Sequence, residues 1–325
     1  MQTRVCRLYG QDDLRIETEA TTDPVGDEVL IRVGAGGVCG SDMHYYFEGG
    51  IGQIRVREPI ILGHEAAGTI VALGPDVSGL SVGQKVAINP SHPCGTCRYC
   101  QQDLHQHCLN MKFFGSAMPV PHIQGAFRDL VNVRQGQCYL IADTTDIGQA
   151  ACAEPLAVCL HAVARAGDLS GKKVLVTGAG PIGSLCAAAA KCAGASEIVV
   201  TDLQDFALGV AREMGHFDVC FECSAAPAAL RTAISTLRPQ GILVQVGVAG
   251  EMPVPFNPLV AKELTITGTF RFHTEFAQAV QMIDGGEIDV SPIVTQTLPV
   301  ETAKEAFEIA RDRSKSVKVQ LSFAT

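Results

Sequence analysis

Four side chains of the types that bind a catalytic zinc ion occur at three places in the sequence. They are Cys39, His64, Glu65 and Glu154. One thiolate, one imidazole and two carboxylates form a donor set that Zn²⁺ accepts while one coordination position stays open to water or substrate. Taken singly, the cysteine would be a buried thiol, the histidine a core imidazole and each glutamate a surface charge. Because the four coincide, we interpret them as an active-site metal centre.

Short segments of the first 150 residues must bring these donors together. Three segments are typical of short strands separated by Gly and Pro, namely Val29–Val33, Gly68–Leu73 and Val82–Ile88. This pattern predicts a compact β domain. The segment from Val38 to Tyr46 lacks a strand period and contains glycine, so we expect a loop there. An apolar run then leads into Gly63-His64-Glu65. Two loops are therefore predicted to converge on one metal.

A second set of ligands lies in one short stretch and contains only thiols, Cys94, Cys97, Cys100 and Cys108. Four thiolates at this spacing can close a tetrahedron with no open position, which predicts a structural zinc site. Disulfides are not expected, because the chain shows no secretion signal. The nearby imidazoles are interpreted as surface groups, since four thiolates already saturate the metal; they belong to His92, His105 and His107.

A dinucleotide-binding pattern follows an apolar strand at Val174–Val176. Gly178 permits a tight turn, Gly180 lets the backbone approach a pyrophosphate, and Gly183 lets helix and strand pack closely. The next predicted strand ends in Asp202, whose carboxylate would accept hydrogen bonds from the adenosine ribose. An acidic side chain there repels a 2′-phosphate, so NAD is favoured over NADP. The alternative is that this aspartate is an ordinary helix N-cap.

The remaining pattern alternates strands and helices, which predicts a doubly wound parallel sheet. Further strands are expected at Phe217–Glu222, Ile242–Val246 and Leu264–Thr267, and helices after Pro227, at Phe276–Ile283 and at Ala303–Arg311. We expect three regions: 1–150 catalytic, 151–270 cofactor-binding and 271–325 returning to the first. A helix that reaches Gly215 and a strand at Phe217 leave no room for the intervening strand and crossover that a six-stranded parallel sheet needs. We therefore predict that the native polypeptide carries a further segment between Gly215 and His216.

Composition excludes several classes of function. The 325 residues include 25 basic and 34 acidic side chains, a formal charge of −9, so the surface is not one that attracts nucleic acid or an anionic membrane. The N-terminus has no apolar signal core, and we expect a cytoplasmic protein.

The order of these motifs resembles the zinc-dependent medium-chain alcohol dehydrogenases over essentially the whole chain. Residues 39–45 and the glutamate at Glu154 resemble the sorbitol dehydrogenase (polyol) branch. Ile88–Ser91, Phe113–Met118 and Gly268–Phe272 are similar to members that oxidise a sugar acid. The resemblance implies a GroES-like, β-rich catalytic domain joined to a Rossmann domain with a doubly wound parallel sheet. It also implies zinc, NAD and a small-molecule sugar acid or polyol as partners.

Carried over by position, the resemblance implies that Cys39 and His64 bind the catalytic zinc. Glu65 and Glu154 would be its carboxylate neighbours, and which of them binds directly stays open. The four cysteines match a structural zinc lobe at about residues 91–115. The implied substrate contacts are Tyr45, Phe114, Glu154 and Arg271. The implied cofactor contacts are Gly178, Gly180, Pro181, Ile182, Gly183, Asp202, Val246, Phe270 and Arg271.

Two positions depart from the family pattern. Relatives often carry arginine where this chain has Ala207, and glycine where it has Ala225. Both positions concern the cofactor site and leave the predicted class of enzyme unchanged.

The implied chemistry is oxidation of a secondary hydroxyl. As a hypothesis, zinc acts as a Lewis acid that lowers the hydroxyl pKa, so that hydride passes to the nicotinamide. Ser41 would accept the proton, and His44 would pass it to solvent through the cofactor ribose. The alternative is that the serine makes a loop hydrogen bond and the histidine is a surface imidazole. Arg271 would pair with a sugar-acid carboxylate, or else would position the cofactor.

Other functions remain open at this stage. A sorbitol or xylitol dehydrogenase is the nearest alternative, and a 2,3-butanediol or threonine dehydrogenase is more distant. A non-catalytic nucleotide-binding protein would have lost part of the zinc, relay or cofactor set, which is intact here. The apolar strand at Leu264–Thr267 could pair with a second copy, so a homodimer or homotetramer is expected.

Overall fold

The structure is a computed structural model that describes residues 1–202, 216–248 and 250–323. The chain divides into two compact units, Met1–Glu154 with Phe276–Thr325, and Pro155–Glu275. Ala207 and Gly215 lie outside the described residues, so the predicted extra segment is not tested. No helix among the described residues is long and apolar enough to cross a membrane.

The first unit contains most of the strands that the structure describes. Its strands are β1 (Gln2–Leu8), β2 (Leu14–Ala20), β3 (Glu28–Gly37), β4 (Gly50–Ile51), β5 (Ile54–Arg55), β6 (Ile60–Ile61), β7 (Glu65–Leu73), β8 (Lys85–Ile88), β9 (Ser91–His92), β10 (Lys112–Phe113), β11 (Leu130–Arg134), β12 (Cys138–Leu140), β18 (Val294–Pro299) and β19 (Lys318–Ser322). Its helices are α1 (Gly40–Glu48), α2 (Ile147–Ala151), α7 (Glu275–Asp284), which begins at the last residue of the second unit, and α8 (Ala303–Arg311).

The second unit alternates strands and helices. Its strands are β13 (Lys173–Thr177), β14 (Glu197–Thr201), β15 (Phe217–Glu222), β16 (Leu237–Gln245) and β17 (Thr265–Gly268). Its helices are α3 (Ala153–Ala166), in whose first turn the division between the units falls, α4 (Pro181–Cys192), α5 (Pro227–Thr236) and α6 (Phe256–Ala261).

A seven-stranded sheet forms the centre of the first unit, in the order β12-β8-β7-β3-β19-β18, with β11 also paired to β3. The long strand β3 is antiparallel to β7, β11 and β19. Its inward side chains are fully buried, and the core continues to Phe127, which is 0% exposed. The two sequence segments of the unit are thus joined in one sheet, because β19 of the second segment pairs with β3 of the first.

The prediction of a loop from Val38 to Tyr46 is wrong, because helix α1 begins at Gly40. The Asp42 carboxylate accepts a hydrogen bond from the Cys39 amide at 3.0 Å, and the Cys39 side chain accepts one from the third helical amide. This reciprocal capping satisfies amides that a helix start leaves without partners. The Tyr46 ring is buried and packs 5.2 Å from the Phe307 ring of α8, so tertiary packing also stabilises the helix.

The second unit confirms the predicted doubly wound parallel sheet. Its strand order is β14-β13-β15-β16-β17, and every pairing is parallel. β13 is buried over Val174–Val176, as expected for a strand covered on both faces. The order reverses beside β13, where ligands bind in folds of this type.

Candidate active site

Cys39 lies where β3 ends and α1 begins. The amide of Ser41 donates a hydrogen bond to its sulfur, which favours the thiolate. Burial and the Glu65 carboxylate outweigh this effect and raise the pKa of the Cys39 thiol to about 11. The thiol therefore keeps its proton near neutral pH unless a bound cation favours the thiolate.

His64 is positioned by the residue before it. Gly63 has φ +91°, and a Cβ there would lie 2.1 Å from the buried Phe127 ring. The His64 ring is 6% exposed and lies 5.5 Å from the Phe113 ring. Only glycine fits this turn, so the packing of Phe127 determines where the imidazole lies.

Asp42 is a positioning residue that the sequence analysis did not single out. Its side chain is 0% exposed and accepts a hydrogen bond from the Gly63 amide at 3.2 Å. Its carboxylate also lies 3.8 Å from His64 Nδ1. Burial raises the pKa of this carboxyl group, and the imidazole opposes the rise. One buried carboxylate therefore ties the Cys39 turn to the His64 turn.

Lys318 is the second residue that the sequence analysis missed. Its Nζ donates to the two carboxylate oxygens of Glu65 at 2.7 and 2.8 Å, and both side chains are almost fully buried. Burial alone would lower the pKa of the lysine, but Glu65 and then Cys39 raise it. A Cβ on Gly37 would lie 2.0 Å from Glu65 Oε2, so the facing strand also needs glycine. The strand pairing thus holds one carboxylate orientation.

Glu154 lies in the first turn of α3 and is 5% exposed. Burial raises the pKa of its carboxyl group to about 8; His64 opposes this rise, while Glu65 and Cys39 add to it. The ligand atoms of Cys39, His64 and Glu65 all lie within 4.8 Å of one another. A half-buried thiol beside a buried imidazole and carboxylate at this separation fits a zinc ion, and Glu154 borders them.

The other predicted catalytic residues lie on α1. Ser41 is partly buried, and His44 is exposed with its Nδ1 3.0 Å from Glu48 Oε1. Tyr45 is 5% exposed and its hydroxyl accepts a hydrogen bond from the Ala117 amide at 3.3 Å. Phe114 is partly buried against the same apolar core.

The four predicted structural ligands come together. The sulfurs of Cys94, Cys97, Cys100 and Cys108 lie within 4.8 Å of one another. Backbone amides donate to them, including the Cys94 and Asn110 amides to Cys108 Sγ at 3.2 and 3.3 Å. Hydrogen bonds from the backbone and hydroxyl of Thr96 lower the pKa of Cys94 to about 5. Four converging thiols with amide donors fit a closed zinc site.

The glycine motif opens α4 in the second unit. Gly178 has φ +95°, and a Cβ on Gly183 would lie 1.8 Å from the Gly178 carbonyl oxygen. Gly180 is the N-cap of α4, followed by Pro181 and Ile182. Asp202 follows β14, and its carboxylate accepts a hydrogen bond from the Ala179 amide at 2.9 Å. The predicted ribose acceptor thus lies beside the glycine turn.

The buried Glu222 organises the neighbouring turn and was also missed. Its carboxylate accepts hydrogen bonds from the Ser224 and Ala225 amides at 2.9 and 3.1 Å. Ala225 has φ +58°, which accounts for the glycine that the family pattern carries at this position. The Val246 amide donates to the Glu222 carbonyl at 2.9 Å.

Phe270 and Arg271 follow β17. The Phe270 side chain is 45% exposed, and the Arg271 guanidinium lies 5.0 Å from the centre of its ring. Arg271 has φ +53°, an uncommon backbone conformation for a residue with a side chain.

Comparison with known proteins covers the whole chain. The family model described as an alcohol dehydrogenase GroES-like domain matches residues 26–143, and the zinc-binding dehydrogenase model matches residues 215–285. The chain is 39% identical over 344 aligned positions to L-idonate 5-dehydrogenase (NAD(P)(+)) of Escherichia coli K12, covering 99% of both chains. It is 35% identical to sorbitol dehydrogenase of Bacillus subtilis, covering 93% of this chain and 92% of that one.

One solved structure has a similar fold over nearly the whole chain. The crystal structure of L-idonate 5-dehydrogenase from Escherichia coli superposes with a TM-score of 0.93 at 38% identity, covering 99% of this chain and 98% of that one.

Proposed function

The chain belongs to the zinc-dependent medium-chain alcohol dehydrogenase family, and we propose that it oxidises L-idonate to 5-keto-D-gluconate with NAD. Its family membership makes it an oxidoreductase that acts on CH–OH donors with zinc and a nicotinamide dinucleotide. The observation that carries the proposal is the convergence of Cys39, His64 and Glu65 in a chain similar over its full length to an L-idonate enzyme. We keep residues 1–150 and 271–325 as the catalytic part and 151–270 as the cofactor part.

In this proposal Cys39, His64 and Glu65 hold the catalytic zinc, and Glu154 acts beside them. When bound, zinc polarises the substrate hydroxyl, and the nicotinamide accepts the hydride from the same carbon. Asp42 keeps the Cys39 and His64 turns in register, and Lys318 holds Glu65. The four cysteines between Cys94 and Cys108 hold the structural zinc.

The hydroxyl proton needs a path away from the buried site. We assign its acceptance to Ser41 Oγ and its onward transfer to His44, whose ring is exposed and lies 3.0 Å from Glu48 Oε1. Substituting Ser41→Ala should lower turnover at least about tenfold while zinc stays bound, because the acceptor is lost. Unchanged turnover would remove the serine from the path.

The test of the proposed reaction compares substrates under one set of conditions. L-idonate, D-sorbitol and D-gluconate would each be offered with NAD and, separately, with NADP. Formation of NADH or NADPH would be measured before and after zinc chelation. We expect a preference for L-idonate and NAD that chelation abolishes. A preference for D-sorbitol would contradict the proposal. It would support the polyol alternative, which the similarity to sorbitol dehydrogenase also favours.

Arg271 allows the substrate to be tested separately. If its guanidinium pairs with the sugar-acid carboxylate, Arg271→Met should raise the KM for L-idonate about tenfold or more and leave that for D-sorbitol nearly unchanged. A rise confined to the KM for NAD would assign the arginine to the cofactor instead. Arg231→Met, at an exposed arginine of the same unit, is the matched control.

We also propose that the chain forms a homodimer or homotetramer. β17 ends the order of the described parallel sheet, and Ile266 in it is 40% exposed. An apolar edge strand of this kind pairs with a second copy or invites aggregation. Light scattering coupled to size exclusion would measure the state, and a monomer at micromolar concentration would contradict it.

A further inference from the structure

A cavity of about 500 Å³ lies in the first unit, beside α1 and the C-terminal end of α8. Its walls include Met43 and Phe47 of α1, Arg311 at the end of α8 and Arg313 two residues beyond it. The volume is within the range of sites for small organic molecules. The zinc-binding donors Cys39, His64 and Glu65 do not line it.

Two guanidinium groups give the cavity its positive side. Arg311 and Arg313 both line it, and within residues 1–202, 216–248 and 250–323 neither forms an ion pair. The Arg311 guanidinium lies 4.6 Å from the centre of the Phe47 ring, which restricts its orientation. Both arginine side chains are exposed, so their guanidinium groups are accessible to a ligand in the cavity. The planar guanidinium fork suits phosphate oxygens in particular.

The opposite side of the cavity is not simply cationic. Asp12 and Glu48 line it as well, and Glu48 contacts His44 Nδ1 at 3.0 Å. These carboxylates would repel a bare anion, but they accept hydrogen bonds from hydroxyl groups. The apolar faces of Met43 and Phe47 offer a surface for the carbon skeleton of a ligand.

We propose that this cavity binds a sugar phosphate, with the phosphate on Arg311 and Arg313 and the sugar hydroxyls on Asp12 and Glu48. The ligand chemistry has two sources, a ribose phosphate of the dinucleotide or a free sugar phosphate. The site goes beyond the proposed oxidation of L-idonate, and its binding is measured without turnover. Failure of one proposal therefore leaves the other standing.

The test is calorimetric titration of the zinc-loaded full-length protein with ribose 5-phosphate. Wild-type protein should bind it at millimolar concentration or below, and the double variant Arg311→Gln/Arg313→Gln should bind at least about tenfold more weakly. Lys304→Gln removes a charge from the first turn of the same helix and should change binding less than about twofold. Equal affinity of wild type and double variant, or no binding by wild type at millimolar ligand, would overturn the proposal. Zinc content and thermal unfolding of each variant show that it is folded.

A second variant separates the two sides of the cavity. Asp12 has φ +60°, a conformation that asparagine tolerates, so Asp12→Asn keeps the backbone. This variant should weaken the binding of ribose 5-phosphate several-fold and leave inorganic phosphate bound equally or more tightly, because only the sugar hydroxyls need the carboxylate. Equal weakening of both probes would contradict the assignment of the hydroxyls to Asp12.

The source of the ligand follows from competition with NAD. Loss of ribose 5-phosphate binding in saturating NAD, with a matching loss of NAD affinity in the double arginine variant, would assign the cavity to the cofactor. Undiminished ribose 5-phosphate binding in saturating NAD would assign it to a free sugar phosphate.

Discussion

At the scale of single residues, the active site depends on side chains that never need to touch a substrate. Lys318 neutralises Glu65 inside the protein, and Asp42 ties together the two turns that carry Cys39 and His64. A buried carboxylate without a cation is costly, so in the proposed site the lysine and the zinc ion would both compensate the charge of Glu65. The contribution of the lysine to stability can therefore be measured in the zinc-free and the zinc-loaded protein and compared.

The variant Lys318→Met should destabilise the zinc-free protein by about 3–5 kcal/mol, because it leaves Glu65 as an uncompensated buried charge. The zinc-loaded protein should lose less, because the ion then compensates the same carboxylate. Denaturant unfolding with and without chelator measures both values. The control is Lys304→Met at an exposed position, expected within about 0.5 kcal/mol of wild type. Equal losses in the two states would mean that the lysine does not share the carboxylate with zinc.

At the scale of elements, the turn after β15 carries a strained alanine. Ala225 adopts φ +58°, and the carboxylate of Glu222 holds its amide there. A left-handed conformation destabilises a residue with a Cβ by about 1–2 kcal/mol. Glycine avoids this strain, but its larger loss of conformational entropy on folding offsets part of the gain.

We therefore expect Ala225→Gly to raise the free energy of unfolding by about 0.5–1 kcal/mol. Ala228→Gly, in the first turn of α5, should lower it by a similar amount, because there the conformation is helical. Chemical denaturation of the two variants beside wild type makes the comparison. A loss of stability in both would show that the backbone strain is absent.

Another contact between elements of the second unit predicts a pH effect. His161 of α3 lies 2.9 Å from Glu275 Oε1, and the His273 amide donates to the other carboxylate oxygen at 2.8 Å. Burial would raise the pKa of Glu275, but these hydrogen bonds lower it from 4.5 to about 2. The ionised carboxylate is thus the form that the fold favours. Its contribution is complete above about pH 4.5 and disappears as pH falls toward about 2.

Glu275→Gln should accordingly lower the free energy of unfolding by about 1–2 kcal/mol at pH 7, and the difference from wild type should shrink steadily below about pH 4.5. Unfolding curves at several pH values measure this difference. Glu251→Gln, at an exposed glutamate of the same unit, should show no such trend. A difference that stays constant down to pH 3 would contradict the assigned pKa.

At the scale of the whole molecule, the parallel sheet has five described strands. The alignment to the Escherichia coli L-idonate enzyme spans 344 positions, more than the 325 residues of this chain, so that relative carries residues without a counterpart here. This difference in length agrees with the prediction of a further segment between Gly215 and His216, which would supply the additional strand and crossover of a six-stranded parallel sheet.

The native polypeptide should therefore have an intact mass above 34.3 kDa by the mass of roughly a dozen residues or more. Mass spectrometry of the protein from its natural source measures this directly, and peptide mapping across Gly215 would locate the added residues. A mass of 34.3 kDa would contradict the prediction.

Local features of the sequence were sufficient to predict the donor types, the structural cysteine cluster, the glycine turn and the two-domain α/β class. In each case the chemistry depends on residues a few positions apart, as in the spacing of Cys94, Cys97 and Cys100, or on a strand followed directly by a helix. Short-range geometry is what spacing and periodicity encode.

Tertiary structure alone decided the rest of the site. Lys318 reaches Glu65 across 253 positions of sequence because β19 pairs with β3, and nothing near either residue announces that contact. Helix α1 replaces the expected loop because Asp42 caps it and Tyr46 packs on α8. The two glutamates are both buried, but Glu65 is ion-paired with Lys318, while burial raises the pKa of Glu154 to about 8. Long-range pairing and desolvation depend on which elements meet, and this information is distributed over the whole chain.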